Sequence, residues 1–158
     1  MAATAPAPLA LAAVEVGDAA PRPMSNASAS APLGLYWIER TRPITRGDLA
    51  LVRPPAGAQE MAADRGYLPQ KIPLLKRVEG LAGDVVCARD GQVIIEGIAV
   101  ANVVSNDIIG RPLHAWAGRR ALAAHEFLVL MRDVPGSFDS RYFGPVPRPI
   151  VLGKAVPL

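Results

Sequence analysis

Three short segments carry side chains that could together make and break a covalent bond. The first is Asn26-Ala27-Ser28-Ala29-Ser30-Ala31-Pro32-Leu33-Gly34-Leu35-Tyr36, in which the polar residues fall at every second position. On extended backbone Asn26, Ser28 and Ser30 would share one face, and Pro32 and Gly34 would then bend the chain. Taken alone, this Ser/Ala/Pro mixture reads first as a linker. The second segment is Leu74-Leu75-Lys76-Arg77-Val78-Glu79. Period-two alternation sets Lys76 on the face of Leu74 and Val78, and Arg77 on the other with Leu75 and Glu79. A lysine among core residues either snorkels to water or loses solvation, which lowers an amine pKa by up to ~3–5 units. A neutral amine near pH 7 can serve as a general base. The plainer use of such a lysine is to guard an edge strand against aggregation. The third segment is Gly136-Ser137-Phe138-Asp139-Ser140-Arg141-Tyr142-Phe143-Gly144. If it is extended, Asp139 and Arg141 share a side and can pair, with the Ser137 hydroxyl beside them. A polar loop with one surface salt bridge of little worth would read the same way.

Other chemistries find no footing. Cys87 is the single cysteine, which rules out an intramolecular disulfide and every multi-cysteine metal motif. Its apolar neighbours Val85, Val86 and Ala88 point to a buried, inert thiol. His114 and His125 stand outside any metal-ligand or triad spacing. The formal net charge is +3, but the basic residues are scattered and form no stripe, so no nucleic-acid partner is expected.

Composition indicates the architecture that would hold these segments in place. Hydrophobic residues make up 51% of the 158 positions and charged residues 20%, so a packed core is available. Sixteen prolines and 14 glycines disfavour a helix bundle and suit short strands joined by turns. Residues 1–23 are Ala/Pro-rich and read as a poorly ordered or membrane-proximal tail. Residues 24–158 read as one mainly antiparallel β domain with little helix. Strands are expected at 49–52, 71–79, 84–88, 92–96, 126–131 and 150–156, with Asp90-Gly91 as a tight hairpin turn. A short exposed helix or a loop is expected over 59–65. No stretch approaches the ~20 apolar residues of a spanning helix. The apolar run from Pro8 to Val16 is too short, and no basic residue precedes it as a secretory signal requires. On this reading the chain is soluble.

In their order along the chain, the three segments resemble the boxes of type I signal peptidases, with most likeness to the TraF-type branch of bacterial conjugative transfer. Asn26-x-Ser28-x-Ser30-x-Pro32-x-Gly34-Leu35-Tyr36 is similar to that branch's nucleophile box. Leu75-Lys76-Arg77-Val78 with Gly80-Leu81-x-Gly83-Asp84 is similar to the lysine box. Ser137-x-Asp139-Ser140-Arg141-Tyr142-Phe143-Gly144 is similar to the C-terminal box, and Gly47-Asp48-Leu49-Ala50-Leu51-Val52 to the strand between the first two. The resemblance implies a β-rich catalytic domain in which Ser30 is the nucleophile and Lys76 its base. It implies that the Ser28 hydroxyl joins the Ser30 N–H in binding the oxyanion, and that Ser137 orients the lysine amine. Asp139, Arg77 and Arg141 become a supporting polar network, with Asp139 taking a more direct part in the TraF branch.

A Ser–Lys pair needs no histidine and no cofactor. The implied substrates are exported preproteins or pilin-like membrane peptides, cut at the periplasmic face of the bacterial inner membrane. The family usually carries a membrane segment before the nucleophile box, and this chain has only the acid-interrupted run ahead of Asp18, so its membrane association is left open. Two alternatives share the residues. One is a non-catalytic assembly module of a secretion or conjugation apparatus. The other is a self-cleaving repressor, which needs a DNA-binding domain that the 29 residues before Ser30 cannot form.

Overall fold

The computed structural model describes residues 20–26 and 28–158. Most of the expected tail therefore lies outside the described residues. Eleven strands occur among them: β1 (Arg22–Asn26), β2 (Gly34–Glu39), β3 (Leu49–Val52), β4 (Leu74–Gly80), β5 (Val85–Arg89), β6 (Gln92–Ile95), β7 (Ile98–Asn102), β8 (Gly118–Ala121), β9 (Glu126–Leu130), β10 (Val146–Pro147) and β11 (Val151–Pro157). Two helices accompany them, α1 (Ala56–Asp64) and α2 (Ser140–Phe143), with a 3-10 turn over Arg148–Ile150. β1 begins at Arg22, so the last two residues of the stretch read as tail are already paired with β2.

Every strand pairing is antiparallel. A seven-stranded sheet runs β1-β2-β11-β3-β4-β9-β10, and a four-stranded sheet runs β7-β6-β5-β8. The smaller sheet leaves the larger one after β4 and returns at β9, so the chain between these two neighbouring strands is free to build one wall of a cleft. Leu128 and Leu130 of β9 pack with Val86, Val93, Ile95 and Ala101 of the smaller sheet, which joins the two sheets through apolar burial. Gly80 marks a close approach beside that packing. A Cβ there would stand 2.8 Å from the Leu128 Cβ, so glycine lets β4 and β9 approach at the point where their register shifts.

β4 starts at Leu74, later than the expected Lys71. Lys71 holds a left-handed φ of 67° and Pro73 has no N–H to donate, so the ladder cannot begin sooner. The expected extended stretch through Asp139 and Arg141 is instead helical. Asp139 caps α2 by accepting from the Arg141 N–H, a local bond that draws the chain into a turn. Among the described residues, no helix is long and apolar enough to cross a membrane.

Candidate functional site

β1 ends at Asn26, whose side chain organises the turn that comes after it. Its Nδ2 stands 3.0, 3.2 and 2.9 Å from the carbonyl oxygens of Ser28, Ala31 and Pro32, and its Oδ1 accepts from the Ser28 N–H at 3.1 Å. The Ala31 N–H closes back on the Ser28 carbonyl, and the Tyr36 hydroxyl donates to the Pro32 carbonyl. The chain through Ser28 and Ser30 is therefore a turn and not the extended run that alternation predicted. Asparagine side chains compete with the strand ladder in this way. The turn still brings the two hydroxyls together, with Ser28 Oγ and Ser30 Oγ 3.1 Å apart.

Lys76 pairs with Ala50 across β3 and is 1% exposed. Its Nζ lies 3.0 Å from Ser30 Oγ and 2.8 Å from Ser137 Oγ. A strand interior fixes the stem of the side chain, and the two hydroxyls fix its end. Burial lowers the amine pKa from 10.5 to about 8; the Asp139 carboxylate pulls it back up and the Arg141 guanidinium pushes it down. The alternation that singled out this lysine thus locates a desolvated amine beside a serine.

Asp139 and Arg141, which follow Ser137 in the chain, are both 0% exposed. The guanidinium donates to both carboxylate oxygens, at 2.9 and 2.8 Å, and also to the carbonyls of Met131 and Val134. Asp139 further accepts from the N–H groups of Met131 and Arg141, so its acceptor positions are filled by four donors. Those bonds pin the loop 131–137, whose last residue donates its N–H to the Val134 carbonyl. Asp139 thus ties the start of this loop to the first turn of α2. Arg77, expected in the same network, is not part of it. Adjacent strand residues face opposite ways, and Arg77 donates instead to the Gly47 carbonyl at 2.6 Å.

Ser28, Ser30, Lys76 and Ser137 open onto a cleft of about 420 Å3. Its walls are apolar: Leu68, Leu74, Val104, Leu113, Val134 and Phe138, with the rings of Tyr67 and Tyr142. Sequence reasoning missed Asn26 as an organiser and Tyr67 as a wall. The wall segments hold no nucleophile, base or metal spacing that could have drawn attention to them. Among the described residues no group of His, Cys, Asp and Glu could hold a metal ion.

The chain is similar to several known proteins. A family model described as signal peptidase, peptidase S26, matches residues 1–158. A conjugal transfer protein TraF from Agrobacterium fabrum is 38% identical over 143 residues, covering 84% of this chain and 80% of that protein. A plasmid transfer protein TraF from Escherichia coli is 32% identical, covering 78% and 74%. A signal peptidase I from Leptolyngbya laminosa is 32% identical over 114 residues, covering 72% and 52%. The crystal structure of a signal peptidase I from Enterococcus faecalis aligns with a TM-score of 0.42 at 21% identity, covering 72% of this chain and 97% of that one.

Proposed function

The chain belongs to the signal peptidase family, peptidase S26, and we propose that it is a serine endopeptidase with Ser30 as nucleophile and Lys76 as general base. The observation that carries the proposal is the Lys76 amine held between the hydroxyls of Ser30 and Ser137. Serine is a weak nucleophile until a neighbouring base takes its proton. A buried amine with its pKa lowered to about 8 is such a base.

In the proposed reaction the neutral amine accepts the Ser30 proton as Oγ attacks the scissile carbonyl. Negative charge moves to the carbonyl oxygen, where the Ser28 hydroxyl and the Ser30 N–H stabilise it. The protonated amine then gives its proton to the departing nitrogen, and the C–N bond breaks to leave an ester on Ser30. A second nucleophile, water or the substrate's own amine, attacks the ester through the same base and frees the serine. Arg141 and Asp139 keep Ser137, and through it the amine, in register.

The TraF names of the relatives support a finer proposal. The substrate is an exported, pilin-like subunit of a conjugation apparatus, whose leader is removed at the periplasmic face of the inner membrane. The experiment is cleavage of a candidate pilin precursor by purified protein, read by mass spectrometry. Ser30→Ala and Lys76→Ala should each abolish cleavage with the fold retained, and wild-type protein should carry an acyl adduct on Ser30. Full cleavage by Ser30→Ala would refute the mechanism. In a donor cell lacking the gene, the wild-type protein should restore transfer and Ser30→Ala should not; equal restoration would refute the conjugative role.

A further inference from the structure

We infer that Trp116 is a positioning residue for the Lys76 amine: its indole, seated against Gly144, fixes the turn that carries Asp139 and Arg141. The inference rests on the peptidase reading above. Trp116 lies on the chain between β7 and β8, outside the three segments that bear the proposed chemistry, and it is not among the residues lining the cleft. It meets α2 twice. Its N–H donates to the Arg141 carbonyl at 2.9 Å, and its ring abuts the backbone of Gly144, the residue that ends the helix.

The second contact leaves no room for a side chain. A Cβ on Gly144 would stand 2.8 Å from the indole Cδ1, 3.0 Å from Cγ and 3.1 Å from Nε1. Gly144 also holds a φ of 74°, which glycine adopts without strain. The indole packs as well against the apolar core that joins the two sheets, which includes Val86, Leu128 and Leu130. Trp116 is therefore a spacer between that core and the end of α2.

Two more bonds tie the same stretch of chain to α2. Arg141 Nη1 donates to the Asn102 carbonyl at 3.2 Å, and the Tyr142 hydroxyl accepts from the Val104 N–H at 3.3 Å. Arg141 thus has one hold on the chain 102–116 and another on the carbonyls of Met131, Val134 and Pro135. Asp139 has a hold of its own on the Met131 N–H. The two side chains act on the Lys76 amine with opposite signs, Asp139 pulling its pKa up and Arg141 pushing it down. Loosening the seat of Trp116 moves Arg141 first, because Arg141 is bonded directly to this chain and Asp139 is not. Its push then weakens, and a looser turn admits water. Both changes raise the amine pKa towards that of free lysine.

The test reads the amine itself. Full-length protein is labelled with trace acetic anhydride over a pH series, and acetylation of Lys76 is followed by mass spectrometry against the exposed Lys71. The wild-type midpoint should lie near 8. Trp116→Ala should raise it, and kcat/KM for a leader peptide at pH 7 should fall at least about ten-fold, through kcat with KM little altered. Trp116→Phe should keep most of the rate. Trp116→Leu takes the place of the alanine variant if that one does not fold. Gly144→Ala should shift the midpoint in the same direction, and adding Trp116→Leu to it should recover part of the loss by making room for the methyl group. Backbone strain at Gly144 is common to both proteins and cancels in that comparison. An unmoved midpoint in folded Trp116→Ala or Trp116→Leu protein would overturn the inference, as would unfolding of both variants or a Gly144→Ala protein that gains nothing from Trp116→Leu. Failure of the peptidase reading would appear separately, as a midpoint that moves as expected in a protein that cleaves no leader peptide.

Discussion

Asp139 and Arg141 bury a complete ion pair: two arginine nitrogens donate to the two carboxylate oxygens at 2.9 and 2.8 Å, and both side chains are wholly enclosed. Removing one member of such a pair leaves an uncompensated charge inside the protein, which costs about 3–5 kcal/mol. Arg141→Met should lose stability on that scale in urea unfolding followed by tryptophan fluorescence. Arg141→Lys should do little better, because one ammonium cannot span the carboxylate and the carbonyls of Met131 and Val134 together. A loss below about 1 kcal/mol would reduce the pair to the worth of a surface bridge.

Asn26→Asp separates the two halves of the asparagine's work. The substitution retains an oxygen for the Ser28 N–H but removes the Nδ2 that serves the carbonyls of Ser28, Ala31 and Pro32. It also sets a carboxylate against those same oxygens. The turn bearing Ser30 should loosen, lowering kcat at least about ten-fold through lost orientation while the melting temperature falls only modestly. Unchanged kcat would mean that Pro32 and the Tyr36 hydroxyl hold the turn by themselves.

Ser28 offers a narrower test. Its hydroxyl is 3.1 Å from Ser30 Oγ and lies at the mouth of the cleft. Loss of one oxyanion donor costs roughly 10²–10³ in rate. Ser28→Ala should therefore reduce kcat by that factor with KM little altered, and Ser28→Thr should recover part of it. A Ser28→Ala enzyme within about two-fold of wild type would remove this hydroxyl from the oxyanion site.

The sequence was most legible where a local rule acted alone. Asp90-Gly91 predicts the β5–β6 hairpin because both residues accept left-handed backbone, and they hold φ values of 51° and 73°. Lys76 stood out because it breaks an apolar alternation, which is the same fact that buries its amine. β8 escaped notice since Gly118-Arg119-Arg120-Ala121 is exposed throughout and carries no hydrophobic signal. β2 escaped because apolar residues occupy both of its faces, with Tyr36 and Ile38 buried and Leu35 and Trp37 exposed. The cleft wall was illegible for another reason. Tyr67 and Asp107 meet only through the tertiary fold, and no periodicity links residues 40 positions apart.

Burial of Lys76 should also be visible in stability. With the amine pKa near 8 in the folded protein and 10.5 for the ordinary side chain, the unfolded chain binds the extra proton between those values. Stability therefore rises with pH across that window, and below pH 8 the site carries a penalty on the order of 3 kcal/mol. Lys76→Met removes the charge and retains an apolar stem, although it forfeits the bonds to Ser30 and Ser137. It should be more stable than wild type at pH 7, with the difference shrinking as pH approaches 10.5, in parallel urea titrations. A difference independent of pH would place the amine in contact with water.

The same amine sets the pH dependence of turnover. Only its neutral form can accept the Ser30 proton, so kcat/KM should climb about ten-fold per pH unit below the midpoint and level off above it. That midpoint should lie near 8, the value to which burial brings Lys76. Lys76→Arg keeps the positive charge and much of the volume but stays protonated at every workable pH, so it should be as inactive as Lys76→Ala. Lys71 is an exposed lysine at the turn before β4, and Lys71→Ala should leave both rate and profile intact. Near-normal turnover in Lys76→Arg would reduce Lys76 to a positive charge and send the search for the base to Asp139. That carboxylate would first have to shed donors from Arg141 and the Met131 N–H, so its profile would differ from a lysine's. A midpoint well above 9 in the wild-type enzyme would mean that the cleft admits water to the amine, and that burial does not tune it.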